Sequence, residues 1–335
     1  MDVSILICTF NRSKELDLCL SSLRDLVVPH GVCHEIVVVD NNSTDGTHSV
    51  IRHFEERLPI VSLFEERQGL GVARNRAVAA ARGHLMLWLD DDALVSPNWL
   101  TGYVSAATSH PDAAFLGGPI LPFFDGNPPR WLARNLDHLQ GPYSLLNLGG
   151  TTVRMPAGRM PHGANMGMKA DIARRYGFDD QLGRSGRSLM GGEDIDFFRR
   201  LLADGHQGVW VGCSEVRHYL DRRRQKISYI YMWYYWAGSS AALAFASRGN
   251  PYADLMRMIG SKGAFVGDVY ANKENLVETQ QVDAKRAAWL SAFFSGPLWL
   301  RLLKGFAYFR GFRKQVISLS ESRLIESASR KPVSS

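Results

Sequence analysis

The sequence predicts an α/β fold, a mainly parallel sheet flanked by helices, with a basic helical extension behind it. Three observations carry this. Short β-branched apolar runs alternate with helix-period segments up to about residue 220. The best-defined of these runs end on small polar or acidic residues. The charge then changes sign: residues 1–216 hold 20 Lys and Arg against 25 Asp and Glu, whereas 217–335 hold 19 against 8, a net of +11.

VSILICTF (3–10) reads as the first strand, and Leu16, Leu20, Leu23 and Val27 behind it mark one face of a helix. EIVVVD (35–40) is a second buried strand, followed by the turn NNSTDGT (41–47) and a helix to about Arg57. PIVSLF (59–64) and LMLWLD (85–90) are further strands, with the helix GVARNRAVAAARG (71–83) between them. Ser96-Pro97 reads as an N-cap with proline at the first helical position, and AAFLGG (113–118) is the next strand. Residues 119–161 show no periodicity. GANMGMKADIARRYGF (163–178) then reads as strand, helix and turn, GGEDIDFFRRLLADG (191–205) as a helix bounded by glycines, and GVWVGCSEVRHY (208–219) as a last strand. Met166, Met168, Trp88, Trp99 and Trp210 read as core.

The chain of 335 residues is 45% apolar and 21% charged, which excludes disorder and collagen. Its four cysteines form no CxxC pair, so neither a disulfide framework nor a structural zinc site is expected, and a reducing compartment is. The opening apolar run is too short and wrongly flanked for a signal peptide. The longest uncharged stretch, 227–247, has bilayer length but holds four Tyr, four Ser and a Gly, and reads as a buried or interfacial helix.

In an open parallel sheet the ligand lies at the carboxyl ends of the strands. Here those ends carry Thr9 and Asn11, Asp40, and Asp90-Asp91-Asp92. Three adjacent acids repel one another if buried bare, so a divalent cation or solvent is expected to satisfy them. A dinucleotide site fails on specifics. The turn NRSKE after the first strand has no glycine, GLGVA (69–73) lacks the third, and no Walker A motif is present. A metal held by carboxylates is another way to hold phosphates.

VSILICTFNR, EIVVVDNNSTDGT, GLGVARNRAVAAARG, LWLDDDALVSPNWL, GANMGMKADIARRYGFDDQLG and GGEDIDFFRRLLADG, in this order over about residues 3–219, resemble the family 2 inverting glycosyltransferases of GT-A fold. The resemblance implies a GT-A domain over 1–220, with a nucleotide-sugar half (1–118) and an acceptor and catalytic half (119–220), then an extension over 221–335. It implies that Thr9, Asn11 and Asp40 line a nucleoside pocket, with Asp40 accepting from a uracil imide, and that Arg74 lies near base and phosphates. Asp90 and Asp92 match the DxD motif, Asp90 near the ribose and Asp92 on Mn²⁺ or Mg²⁺. Asp91 stays open between these roles because the triple Asp leaves the register undecided. His218 matches a position that completes the metal shell in some relatives, and reads equally as a hydrogen-bonded structural histidine. Glu193-Asp194 matches the family's acidic pair, whose aspartate is the usual general base. Without the family block the pair would read as first-turn acids favoured by the helix dipole, worth about 0.3–1 kcal/mol.

The resemblance implies transfer from a nucleotide sugar, UDP-linked, to a glycan or lipid-linked acceptor in cell-surface polysaccharide synthesis. A catalytically silent nucleotide-sugar or glycan binder, and a metal-dependent nucleotidyltransferase or hydrolase, are the competing readings. The extension interleaves Trp, Phe and Leu with Lys and Arg over 285–314, the composition of an interfacial helix on anionic lipid. Peripheral contact with the cytoplasmic face of the inner membrane is therefore expected, against the alternative of a solvated helical cap. Nucleic acid is not expected, because no recognised binding motif accompanies the charge.

Overall fold

The computed structural model describes residues 1–184, 191–246 and 296–329, which divide into two compact units, 1–226 and 227–335. In the first unit a central sheet of eight strands runs in the order β3-β2-β1-β4-β9-β6-β10-β8. Its strands are β1 (Val3–Thr9), β2 (His34–Asp40), β3 (Ile60–Phe64), β4 (Leu85–Leu89), β6 (Phe115–Gly117), β8 (Thr152–Arg154), β9 (Asn165–Lys169) and β10 (Gly208–Val211). β1 to β4 are parallel, and so are β6 and β10. β9 comes late in the chain yet lies antiparallel between β4 and β6, and β8 is the antiparallel edge. A smaller sheet holds β5 (Ala93–Val95), β11 (Val216–Leu220) and β7 (Ile120–Phe124), with β11 in the centre. The expected mainly parallel α/β architecture is what is observed.

Helices α1 (Ser13–Leu23), α2 (Thr47–Glu55) and α3 (Leu70–Ala80) connect the parallel strands, and α4 (Trp99–Ser109), α5 (Arg130–Asn135), α6 (Ala170–Tyr176) and α7 (Glu193–Ala203) follow. One core cluster joins Val37, Val39, Ala73, Ala77, Met86, Trp88, Met166, Met168, Phe197 and Phe198. Trp99 and Trp210 are also buried, as the sequence predicts. Asn165, at the start of β9, ties the two sheets together. Its Oδ1 accepts from Trp99 Nε1 and Tyr103 Oη at 2.8 Å each, and its Nδ2 donates to the carbonyls of Pro119 and Ser214.

Three local expectations are corrected. α1 ends at Leu23 and Val27 is exposed: its N donates to Pro97 O instead of continuing the helix. Ser96 is not an N-cap. β5 pairs with β11 and Ser96 N donates to Glu215 O, so the backbone stays extended and α4 begins only at Trp99. The expected last strand, 208–219, is two strands in two sheets, separated by a turn in which Ser214 N donates to Val211 O.

In the second unit α8 (Ile227–Ala246) packs against α9 (Leu298–Ser329). The crossing is close because two glycines face opposing backbone. A Cβ at Gly238 would lie 2.0 Å from Tyr308 O, and one at Gly311 would lie 1.8 Å from Tyr235 O. Ser239 Oγ bridges the pair by donating to Gly311 O at 3.1 Å. Lys304, expected among the lipid-facing cations, is instead fully buried with its ammonium 5.6 Å from the centre of the Tyr234 ring. An exposed apolar stripe does run along α9, through Leu298, Leu302, Phe306 and Phe309. Residues 285–295 of the expected interfacial segment lie outside the described residues. Among the described residues no helix is long and apolar enough to cross a membrane.

Candidate active site

The sheet brings the polar strand ends together. Thr9 closes β1 directly opposite Asp40, which closes β2, and Asp90 follows the last residue of β4. Thr9 Oγ1 donates to Asp91 Oδ2 at 2.8 Å, so these two hold each other rather than facing outward. Asp40 Oδ1 accepts from Ser43 N at 2.9 Å, which turns the chain after β2. Its other oxygen carries no hydrogen bond among the described residues. Asn11 adopts φ 52°, a left-handed conformation that asparagine tolerates. Its Oδ1 accepts from Thr44 N and Asp45 N, pinning the 41–46 loop beside the strand ends.

The acids after β4 part ways. Asp90 is half-buried at the rim, whereas Asp91 and Asp92 turn inward and are 3% and 1% exposed. Burial pushes the Asp91 carboxyl up, against the pull of Arg12. Burial acts the same way on Asp92, but Arg12 first, then His218 and Arg224, outweigh it and hold that carboxyl well below the usual range. Arg12 spans both acids, with Nη1 2.7 Å from Asp91 Oδ1 and Nη2 2.6 Å from Asp92 Oδ2. Arg224 Nη1 reaches the same Asp92 Oδ2 at 2.6 Å. The expectation that only a cation or solvent satisfies the three acids is therefore corrected: two guanidiniums do so as well.

Asp90, Asp92 and His218 each offer a ligand atom, and these atoms lie within 4.8 Å of one another. The histidine geometry tests whether a metal fits. His218 Nδ1 is 2.6 Å from the carbonyl of Tyr143, which can only accept, so Nδ1 carries the hydrogen. A protonated ring pairs with Asp92 Oδ1, 2.9 Å away; in the neutral ring the Nε2 lone pair faces that oxygen, with Arg224 Nη1 and Nη2 beside it at 3.4 and 3.5 Å. Two acceptors face to face are the arrangement a divalent cation resolves. The carbonyl behind the ring fixes the tautomer, as outer partners of metal-binding histidines do. The residues present fit Mn²⁺ or Mg²⁺.

Arg74 is buried, with Nη1 2.8 Å from Glu193 Oε1, Nη2 3.7 Å from Asp90 Oδ1, and its guanidinium 5.3 Å from the centre of the Phe178 ring. Gly163 leaves room for it: a Cβ there would lie 2.1 Å from Arg74 Nη2. Glu193 is buried at the start of α7, and burial raises its carboxyl despite Arg74. Among the described residues its Oε2 has no hydrogen-bond partner. Asp194, one residue on, is half-buried and accepts from Gly163 N at 3.1 Å and Ile195 N at 2.8 Å. The turn into the pair requires Gly192, whose φ of +114° side chains rarely adopt. So Glu193 is the ion-pair partner of Arg74, and Asp194 is the more open carboxylate.

Sequence reasoning missed Arg12, Arg224 and Tyr143. Arg12 had a faint signal, a cation just past the end of β1 where acids collect. Arg224 was hidden in the basic run RRRQK that reads as the start of the tail, and Tyr143 sits in a stretch without periodicity.

Comparison with known proteins bears on this constellation. The profile of Glycosyl transferase family 2 matches residues 4–177. A glucosyl-dolichyl phosphate glucuronosyltransferase of Haloferax volcanii is 21% identical over 242 residues, covering 72% of this chain and 76% of that protein. The succinoglycan biosynthesis protein ExoM of Rhizobium meliloti is 25% identical over 271 residues, covering 79% and 82%. Among solved structures, S. aureus TarS 1-349 in complex with UDP-GlcNAc superposes with a TM-score of 0.51 at 17% identity, over 96% of this chain and 92% of that one. The mannosyltransferase PcManGT of Pyrobaculum calidifontis, in complex with GDP-Man and Mn²⁺, gives 0.50 at 17% identity over 96% and 86%. These likenesses are of fold, and the fold is GT-A.

Proposed function

The chain belongs to glycosyl transferase family 2, enzymes that build glycans by sugar transfer, and from that premise we propose that it moves a sugar, with inversion, from a UDP-sugar to a hydroxyl of a glycan or lipid-linked acceptor. The observation that carries this is the trio of ligand atoms from Asp90, Asp92 and His218, gathered within 4.8 Å of one another at one rim of the sheet. A Mn²⁺ or Mg²⁺ bound there supplies Lewis-acid neutralisation of the departing diphosphate. PcManGT with GDP-Man and Mn²⁺, and TarS with UDP-GlcNAc, support a nucleotide-sugar donor and a metal.

Asp40 presents its unused oxygen to the imide of a uracil base, with Thr9 and Asn11 shaping the nucleoside pocket and Asp90 near the ribose. Asp91 takes a structural place in this scheme, bonded to Thr9 and Arg12. Arg74 braces Asp90 against Glu193 from behind. Asp194 removes the acceptor hydroxyl's proton as the oxygen attacks the anomeric carbon from the face opposite the diphosphate. One displacement inverts that carbon.

The same reading places the enzyme peripherally on an anionic membrane, at the cytoplasmic face of the inner membrane. The α9 stripe from Leu298 to Phe309 is flanked by exposed Arg301, Arg310, Arg313 and Lys314. Apolar rings beside cations match acyl chains beneath anionic headgroups.

A thermal-shift panel of nucleoside diphosphates and their sugars, with and without Mn²⁺, tests the donor. A ligand at 100 times its Kd adds about 2.7 kcal/mol of stability. The expected result is a shift with UDP or a UDP-sugar that grows with Mn²⁺, together with donor-derived sugar appearing on an acceptor with inverted anomeric configuration. No shift with any nucleotide, or release of nucleotide without transfer, contradicts the reading.

A further inference from the structure

Arg224 occupies an unusual place for a side chain beside a metal site. Its Nη1 is 2.6 Å from Asp92 Oδ2, and Nη1 and Nη2 lie 3.4 and 3.5 Å from His218 Nε2. The guanidinium thus addresses both of the ligands that face each other across the site. Since it does not lose its proton, it acts there as a fixed positive charge. Arg12 adds a second one on Asp91 and Asp92. With Asp90 counted, three carboxylates against two guanidiniums leave this cluster a single net negative charge before any metal arrives. A divalent cation entering it would add two positive charges in a poorly solvated place, which is costly unless a cation leaves or an anion enters.

Arg12 and Arg224 differ in what they lose. Arg12 bridges two acids, so it keeps Asp91 when Asp92 is taken. Arg224 reaches both Asp92 and His218, so a metal that takes these two ligands takes both of those contacts. Its backbone is fixed, with Arg224 N donating to Asp221 Oδ1 at 2.7 Å and its carbonyl accepting from Tyr143 Oη at 3.0 Å. The same Tyr143 carbonyl orients His218. Only the side chain has to swing.

We infer that Arg224 is an internal stand-in for the metal. Its guanidinium neutralises Asp92 in the nucleotide-free enzyme, yields Asp92 to the divalent cation, and turns to the donor diphosphate, which needs a cation of its own. Bidentate recognition of phosphate suits a guanidinium. The metal alone is then held weakly, and metal and nucleotide are taken up together. This deepens the reading of the site as one for a metal and a nucleoside diphosphate, and rests on it.

The test measures Mn²⁺ binding without nucleotide and UDP binding without metal, by titration calorimetry, in the full-length wild type, Arg224→Met and Arg224→Lys. Arg224→Met should bind Mn²⁺ alone about 10-fold or more tighter than wild type, and UDP alone about 10-fold or more weaker, each a change of about 1.4 kcal/mol. Arg224→Lys, which keeps a cation but loses the fork, should fall between and keeps the test alive if the methionine variant does not fold. A merely structural role would weaken both affinities. Mn²⁺ affinity unchanged or lowered in both variants, with joint Mn²⁺ and UDP binding intact, overturns the inference alone. Failure of the wild type to bind Mn²⁺ even with saturating UDP overturns the functional reading beneath it.

Discussion

Two adjacent acids, Glu193 and Asp194, meet different surroundings, and their substitutions should separate. Asp194 is half-buried and, among the described residues, held by backbone N–H groups, so Asp194→Asn should leave the fold and donor binding near wild type while lowering turnover by about 10²–10⁴-fold, the span of general-base removal. Glu193→Gln instead leaves the buried Arg74 without its closest anion. Breaking a buried pair from one side costs about 3–5 kcal/mol, so this variant should lose thermal stability first. Urea unfolding and steady-state kinetics of both variants check the contrast, and the opposite assignment would appear as a stable Glu193→Gln with turnover lost. At this scale the sequence was partly legible. Thr9, Asp40, Asp90, Asp92 and His218 could be named because strand ends and family motifs mark them. The Arg12 and Arg224 pairs to Asp92 span 80 and 132 positions and have no local pattern to announce them.

Among the elements, β1, β2 and β4 were readable because buried parallel strands are apolar until they stop. β5, at three residues, was not, and its pairing with β11 is what displaced the expected start of α4. The α8–α9 pair owes its closeness to Gly238 and Gly311, a feature that composition does not reveal. Within it, burial lowers the Lys304 ammonium to about 8. The unfolded chain holds that proton to about 10.4, so it binds more protons than the folded state between these values. Stability should therefore be lowest below pH 8 and rise from about pH 8 to 10. Denaturant unfolding of wild type and Lys304→Met across that range checks this: the variant should lack the rise, and parallel curves would contradict it. On the outer face, each exposed cation near an anionic surface is worth about 1 kcal/mol. Replacing Arg301, Arg310, Arg313 and Lys314 by Gln should release the protein from anionic vesicles at moderate salt in co-sedimentation. Wild type that ignores such vesicles, or a variant that stays bound, contradicts peripheral attachment through α9.

For the whole molecule, the sheet supplies the frame: chain ends of β1, β2 and β4 converge on one rim, and β11 brings His218 to it from the second sheet. Only the folded arrangement shows that the residues proposed for nucleotide, metal and acceptor share that rim with two arginines. The central claim is that Asp90, Asp92 and His218 hold the cation that answers the donor diphosphate. Anomalous scattering from crystals grown with Mn²⁺ and UDP tests it most directly. The account predicts one manganese peak in coordinating contact with Asp92 and His218 Nε2 and with the UDP phosphates; bound UDP with manganese absent from that position, or coordinated elsewhere, would contradict it.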